Sequence, residues 1–299
     1  MLEEGTDPDR RNAKMNRILA GYVILAAACM SGAYAQSGGL DIQEEVFRPG
    51  QGTCSVVLSM DAGEIRVEKA EPGQAGSVHV ECDPEKFRTK IDWDEGKNRM
   101  NIRVHAKNWH HFSKYDEETH ASVILLLPAD ADLQFKASLK AGEARFKLGG
   151  LRLVDFRLSV WAGESEVEFQ EPNPAGMKWM EIHHRVGECR LIRLGNARFQ
   201  KADINSGIGE LEADFTGDLV SGSMARVDLD IGSACVRLPV SVGNRVSVGG
   251  LTSFMSSKEV SQALSKRGNR YFSDNYEQAD VKFSCRITPG LGELSIETE

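Results

Sequence analysis

The sequence predicts an all-β protein: a single-stranded β-solenoid with a short helical insertion near its C-terminal end. Three observations predict it. The first is a recurring motif of apolar residue, Gly and Glu. It reads Ala62-Gly63-Glu64, Ala141-Gly142-Glu143, Ala162-Gly163-Glu164, Val186-Gly187-Glu188, Ile208-Gly209-Glu210 and Leu291-Gly292-Glu293, with Ile231-Gly232-Ser233 as an altered copy. From Gly142 to Gly232 the central glycines are spaced by 21, 24, 22 and 23 residues, a period characteristic of stacked coils. The second is a set of apolar columns. Five residues before the Gly stand Leu58, Ala137, Leu158, Ile182, Ile204, Val227 and Ile287, and four after it Val67, Phe146, Val167, Leu191, Ala213, Val236 and Ile296. Such alternation marks half-buried strands.

The third observation is a change of parity. Inward positions fall at −7, −5 and −1 before the Gly and at +2 and +4 after it. A strand changes its buried face only by inserting a residue. Gly63, Gly142, Gly163, Gly187, Gly209, Gly232 and Gly292 are therefore read as structural corners, where Gly tolerates positive φ. Each copy is strand, corner, strand, and stacked copies share one core.

Taken in order, residues 1–35 read as an address. Met15-Asn16-Arg17 precedes the apolar run Ile18 to Ala28, and Ala33-Tyr34-Ala35 follows before Gln36. A basic start, a short greasy centre and small residues at −3 and −1 describe a secretory signal peptide cleaved between Ala35 and Gln36. The run is about half a bilayer span. Met15 fits the pattern as the start of this signal. The alternative is processing at Cys29, after Ala26-Ala27-Ala28, which would leave a lipid anchor; membrane association is expected only in that form. Residues 36–52 read as a polar linker.

The solenoid domain then covers 53–299: N-terminal strands at 53–130, regular coils at 131–244, and a cap with the final coil at 245–299. In the first part strands are expected at about 53–60, 64–69, 77–82, 100–106 and 122–127. Between the last two lies a polar, aromatic insertion carrying Trp109, His110, His111, Tyr115 and His120. It is the candidate binding loop, since loops on rigid scaffolds carry function. Its histidines match no standard metal spacing. In the last part, Ser257 to Gly268 reads as a short helix with Ser257 at its N-cap. Tyr271, Phe272 and Tyr276 follow as aromatics covering the solenoid end.

Composition bounds the function. The 299 residues are 41% hydrophobic and 27% charged, with a net charge of −8. That is globular, and it argues against nucleic acid or an anionic membrane as partner. Cys54, Cys82, Cys189, Cys235 and Cys285 are an odd set without CxxC spacing. They read as small buried apolar residues; Cys54 and Cys82, flanking the first strands, are the one candidate disulfide. The Glu after each Gly points outward. Two residues on, the same face carries Arg66, Arg145, Glu166, Arg190, Glu212 and Cys235. This reads as a surface ion ladder worth about 0–1 kcal/mol per pair, in preference to a divalent-cation stripe, which wants clustered oxygens without Arg.

Val123 to Pro128, the Ala-Gly-Glu coils, and Tyr271-Phe272-Ser273-Asp274-Asn275-Tyr276 leading to Gly290-Leu291-Gly292-Glu293 carry a resemblance. Over roughly residues 50–299 the chain resembles the bacterial toast-rack and putative-adhesin domains, and is similar to the C-terminal domain of LiaF-like cell-wall stress response proteins. The resemblance implies a β-solenoid exposed outside the cytoplasmic membrane, and it brings no catalytic motif.

No GxSxG, HExxH, P-loop or dinucleotide fingerprint occurs, so no catalytic residue, metal ligand or cofactor is assigned. The reading is an exported, periplasmic or extracellular envelope protein: a non-enzymatic, adhesin-like interaction scaffold whose partner is an envelope protein or surface polymer. The alternatives are a regulator of the envelope stress response acting through a membrane partner, and a carbohydrate-active β-helix enzyme.

Overall fold

The computed structural model describes residues 39–107, 121–249 and 256–299. Seven rungs stack in parallel, each a long strand bent at one of the seven glycines. The first five run in chain order apart from one excursion: β2 (Cys54–Lys69), β7 (Leu133–Lys147), β8 (Leu153–Glu168), β9 (Met177–Ile192) and β10 (Phe199–Asp214). β11 (Met224–Leu238) follows, and β16 (Lys282–Thr288) with β17 (Leu291–Thr298) supplies the two halves of the last rung. The glycine register is unbroken, Gly63↔Gly142↔Gly163↔Gly187↔Gly209↔Gly232↔Gly292.

The bend divides the sheet into two walls. Short strands extend each wall beyond the rungs. At the N-terminal end β5 (Arg99–Ala106) pairs parallel with the first half of β2, and β4 (Phe87–Asp94) pairs antiparallel with β5. β6 (Ala121–Leu127) pairs parallel with the second half of β2, then β3 (Gly76–Cys82) and β1 (Asp41–Phe47) follow antiparallel. At the other end β12 (Gly243–Val248) lies on β16 and β13 (Ser256–Val260) on β17. A hairpin of β14 (Leu264–Arg267) and β15 (Arg270–Ser273) closes on β12.

Side chains at −7, −5 and −3 before the corner and +2 and +4 after it fill the space between the walls. Phe135, Phe146 and Phe156 cluster with ring centroids 5.8–6.1 Å apart. Phe199, Phe215 and Phe283 repeat the arrangement further along, at 5.1–6.3 Å. All six are buried, each worth about 1.5–3 kcal/mol of transfer free energy.

The structure departs from the sequence reading in three elements. Ser257 to Gly268 is not a helix: Ser256–Val260 adds a parallel rung edge to β17, and Leu264–Arg267 forms a hairpin through Gly268-Asn269. Gly268 holds φ +63°, the conformation a two-residue hairpin turn demands. An unpaired edge of β17 offers more hydrogen bonds to an extended segment than a short isolated helix could make for itself. The 36–52 linker contains β1, whose Phe47 is buried against Trp93 at 5.4 Å. β4 lies over 87–94, where no strand was expected, although Phe87, Thr89, Ile91 and Trp93 alternate there with Arg88, Lys90, Asp92 and Asp94 in the period of a half-buried strand.

Candidate binding surfaces

The corner is built by the backbone. Gly63, Gly142, Gly163, Gly187, Gly209, Gly232 and Gly292 hold φ between +121° and +138°, a region closed to residues with a β-carbon. From Gly142 onward, a β-carbon on each would overlap the carbonyl oxygen of the glycine one rung before it; on Gly63 it would overlap the carbonyl oxygen of Ala121. The sheet ladder passes over the −2 residue, as at Asp61, Lys140, Gly207 and Asp230, and between β8 and β9 the −1 residue as well. Every rung thus carries the same bulge at the same place, and the register survives the bend.

The −2 bulge corrects one column. The −1 residues do not point inward, because −2 and −1 lie successively on the convex side and the face switches before the Gly. Val186, Ile208, Ile231 and Leu291 are 46%, 53%, 48% and 38% exposed. The inward place is taken by −3: Met60, Leu139, Val160, His184 and Ser206 are buried. The outer corner is thus an apolar file. Trp161 at −2 is exposed, with the Arg185 guanidinium 4.8 Å from its ring centroid.

Beyond the corner, the +1 glutamates face out and their ion pairs close within a rung. Arg66 reaches Glu64 at 3.3 Å, Arg145 reaches Glu143 at 3.4 Å and Arg190 reaches Glu188 at 3.2 Å. The sequence pointed instead to pairs between rungs. Partners two residues apart stand on one face of the strand, about 6.6 Å apart, a gap that the long Arg and Glu side chains close. Pairs between rungs do form further out. Lys147 bridges to Glu68 at 3.1 Å, and Arg237 spans Glu212 and Glu297. The bond to Glu212 holds the Arg237 guanidinium further toward its charged form. Among the described residues no group of three or more His, Cys, Asp or Glu is placed to hold a metal ion.

The third side of each coil is a return loop tied by buried amides. Asn173 donates from Nδ2 to the Leu153 carbonyl (2.7 Å) one rung back and to the Ala197 carbonyl (3.1 Å) one rung forward. Asn196 does the same, donating to the Phe169 carbonyl (2.9 Å) and accepting from the Asp218 N–H (2.9 Å). Asp214 accepts from Thr216 N–H at 2.7 Å and Arg193 N–H at 3.2 Å. Sequence reasoning missed these clamps. Their signal was an Asn in successive loops, 23 residues apart.

Buried ionisable groups serve the scaffold. Burial alone would raise the Asp61 carboxyl. Lys140 (2.8 Å), the Ala106 N–H (3.0 Å) and His105 outweigh it and hold the carboxyl below its ordinary value. Burial pushes the His184 imidazole down, against the Gly163 backbone. The five described cysteines are free, so Cys54 and Cys82 do not pair. Burial pushes Cys54 and Cys189 up to about 11 and Cys285 up to about 12. Trp109, His110, His111, Tyr115 and His120 of the candidate loop lie outside the described residues, as do Cys29, Ala35 and Gln36. Among the described residues no helix is long and apolar enough to cross a membrane.

The family model for the N-terminal domain of toast_rack matches residues 36–179. No match was found among the curated proteins. Among solved structures, the chain is similar to a putative cell adhesion protein from Clostridium sporogenes, at 13% identity and TM-score 0.45, over 87% of this chain and 100% of that one. A putative adhesin from Bacteroides fragilis aligns at 8% identity and TM-score 0.35, over 87% and 98% of the two chains. Another from Parabacteroides merdae aligns at 11% and 0.33, over 88% and 97%.

Proposed function

Since the chain belongs to the toast-rack family through its residues 36–179, we propose that it is an exported, non-catalytic envelope scaffold that presents arrayed side chains to a binding partner. One observation carries this reading. The outward positions form files repeated once per rung, while the buried polar groups Asn173, Asn196 and Asp214 are spent holding loops. A repeated file is a platform for an extended ligand. Catalysis needs the opposite, several different groups converging on one point. The carboxylates beside the corner are laid out one rung apart and tied to Arg66, Arg145 and Arg190, which suits a scaffold better than a glycosidase, where two carboxyl groups face each other across a bond.

The basic-apolar-small pattern of residues 15–35 supports export. The test is expression of the full chain in a bacterium, followed by fractionation and intact-mass measurement. A soluble product beginning at Gln36 is expected outside the cytoplasm. An uncleaved cytoplasmic chain would overturn export, and a product beginning at lipid-modified Cys29 would replace the soluble form by an anchored one. Cross-linking in the envelope fraction should recover a protein or polymer partner; a chain recovered alone overturns the scaffold role.

A further inference from the structure

The outer face of the wall before the corner carries a charge pattern that neither fold nor packing requires. Near its C-terminal end a recess of about 360 Å³ opens on this face, within the size range of small-ligand sites. Five cationic side chains line it: Lys201, Arg226, Arg245, Arg270 and Arg286. The register explains how they meet. Arg226 stands directly opposite Arg286, Arg286 opposite Ser247, and Ser247 opposite Arg270, so three arginines share one transverse row. The next row runs from Trp179 through Lys201 and Met224 to Ser284 and Arg245.

Little neutralises this cluster from within. Arg226 is tied to Asp228 at 2.6 Å, and Arg245 donates to the Ser284 hydroxyl at 2.9 Å. Lys201, Arg270 and Arg286 form no salt bridge among the described residues. The one carboxylate in the lining is Asp203, which stands directly opposite Arg226 in the same row and accepts from Asn205 at 3.2 Å, leaving five cations against one anion around the recess. Like charges directly opposite on neighbouring strands destabilise a sheet. Elsewhere Arg66, Arg145 and Arg190 each sit beside a glutamate, and the whole chain carries −8. A local positive field attracts an anion even on a chain of negative net charge.

The half-buried Trp179 and the exposed Met224 add an apolar shelf to the same recess. A sugar ring presents apolar C–H faces that pack on an indole. A carboxylate on that ring suits the two-pronged guanidinium. We propose that the recess binds an acidic saccharide, a carboxylate-bearing sugar unit of a surface polysaccharide. The confined cluster, set in an acidic chain, does not form the long basic stripe that a nucleic-acid backbone requires.

This inference rests on the scaffold reading for its setting, and purified protein tests it independently of export. Calorimetric titration of the full chain uses four probes: oligogalacturonate, its carboxyl-reduced counterpart, inorganic phosphate and duplex DNA. Oligogalacturonate is expected to bind, with affinity falling as salt rises, and the reduced oligomer to bind at least tenfold more weakly. Arg286→Gln and Arg270→Gln, both at exposed positions, should each lower affinity at least tenfold with unchanged circular dichroism. Trp179→Ala should weaken oligogalacturonate without creating affinity for phosphate. No binding of oligogalacturonate, equal binding of the reduced oligomer, tighter binding of phosphate or DNA, or indifference to both Arg substitutions would each overturn the proposal. An exported chain that fails these titrations loses the saccharide site and keeps the scaffold role; a cytoplasmic chain that passes them does the reverse.

Discussion

The carbonyl oxygen of Gly142 occupies the space into which a β-carbon on Gly163 would project. The same relationship links each corner glycine to the one before it along seven rungs. It explains why the motif tolerates Ala, Val, Ile and Leu just before the Gly and Glu or Ser just after it, yet never varies at the centre. The glycine is required twice, once for its positive φ and once for the close approach of the next backbone.

The loop clamps should be nearly as intolerant. Asn173→Leu keeps the volume but strands the Leu153 and Ala197 carbonyls and the Ala175 N–H, which Asn173 Oδ1 accepts at 3.0 Å. Each buried group left unpaired costs about 1–3 kcal/mol. Asn173→Asp should be worse still, since it replaces a donor by a charge facing two carbonyls. Asn205→Ala on the outer face should shift the urea midpoint little.

The five thiols of the described residues should be unreactive or slow in the native state. Cys54, Cys82, Cys189 and Cys285 are buried and Cys235 partly exposed. Burial, then the Glu297 carboxylate, raises Cys235 as well, so even this thiol carries little thiolate at neutral pH. A thiol reagent at pH 7.5 should label Cys235 slowly and the other four only after denaturant unfolds the chain. Rapid native labelling of any buried cysteine would contradict the packing.

Acid should weaken the fold in two windows. His184 is lowered in the folded state, so the unfolded chain binds more protons as pH falls below about 6.5, and stability drops through the folded pKa. Asp61 is also lowered. Its contribution is complete above the unfolded carboxylate value of about 3.9 and is lost as pH falls through the folded one. His184→Leu should flatten the stability profile between pH 7 and 5, and Asp61→Asn the part below pH 4. A His184→Leu profile as steep as the parent's would assign the first window to another group.

The repeat was legible because it is written in residue types that have few substitutes. A Gly in a fixed frame of alternating apolar residues fixes both the corner and the faces, and it gave the register from Gly142 to Gly232 directly. The inserted residue is harder to place, since Ala141 and Val186 are apolar in sequence whichever side they face; only the −2 bulge decides. The Ser257–Gly268 segment carried helix caps, but its first half follows the open edge of β17, a partner 36 residues away in sequence, and its second half the hairpin to β15. The basic recess was invisible for the same reason. Lys201, Arg226, Arg245, Arg270 and Arg286 come from five strands, and nothing in their spacing brings them together. Asn173 and Asn196 left a trace, a 23-residue interval matching the coil period.

The denaturation midpoint of Gly187→Ala, measured beside that of Val186→Ala, tests the stacked-corner account most directly. Gly187 holds φ +121° and its β-carbon would meet the Gly163 carbonyl, whereas Val186 is 46% exposed on the outer corner. The account predicts that Gly187→Ala loses at least about 3 kcal/mol or fails to fold, from backbone strain together with a disrupted neighbouring rung, while Val186→Ala loses under about 1 kcal/mol. A Gly187→Ala protein within about 1 kcal/mol of the parent would contradict it.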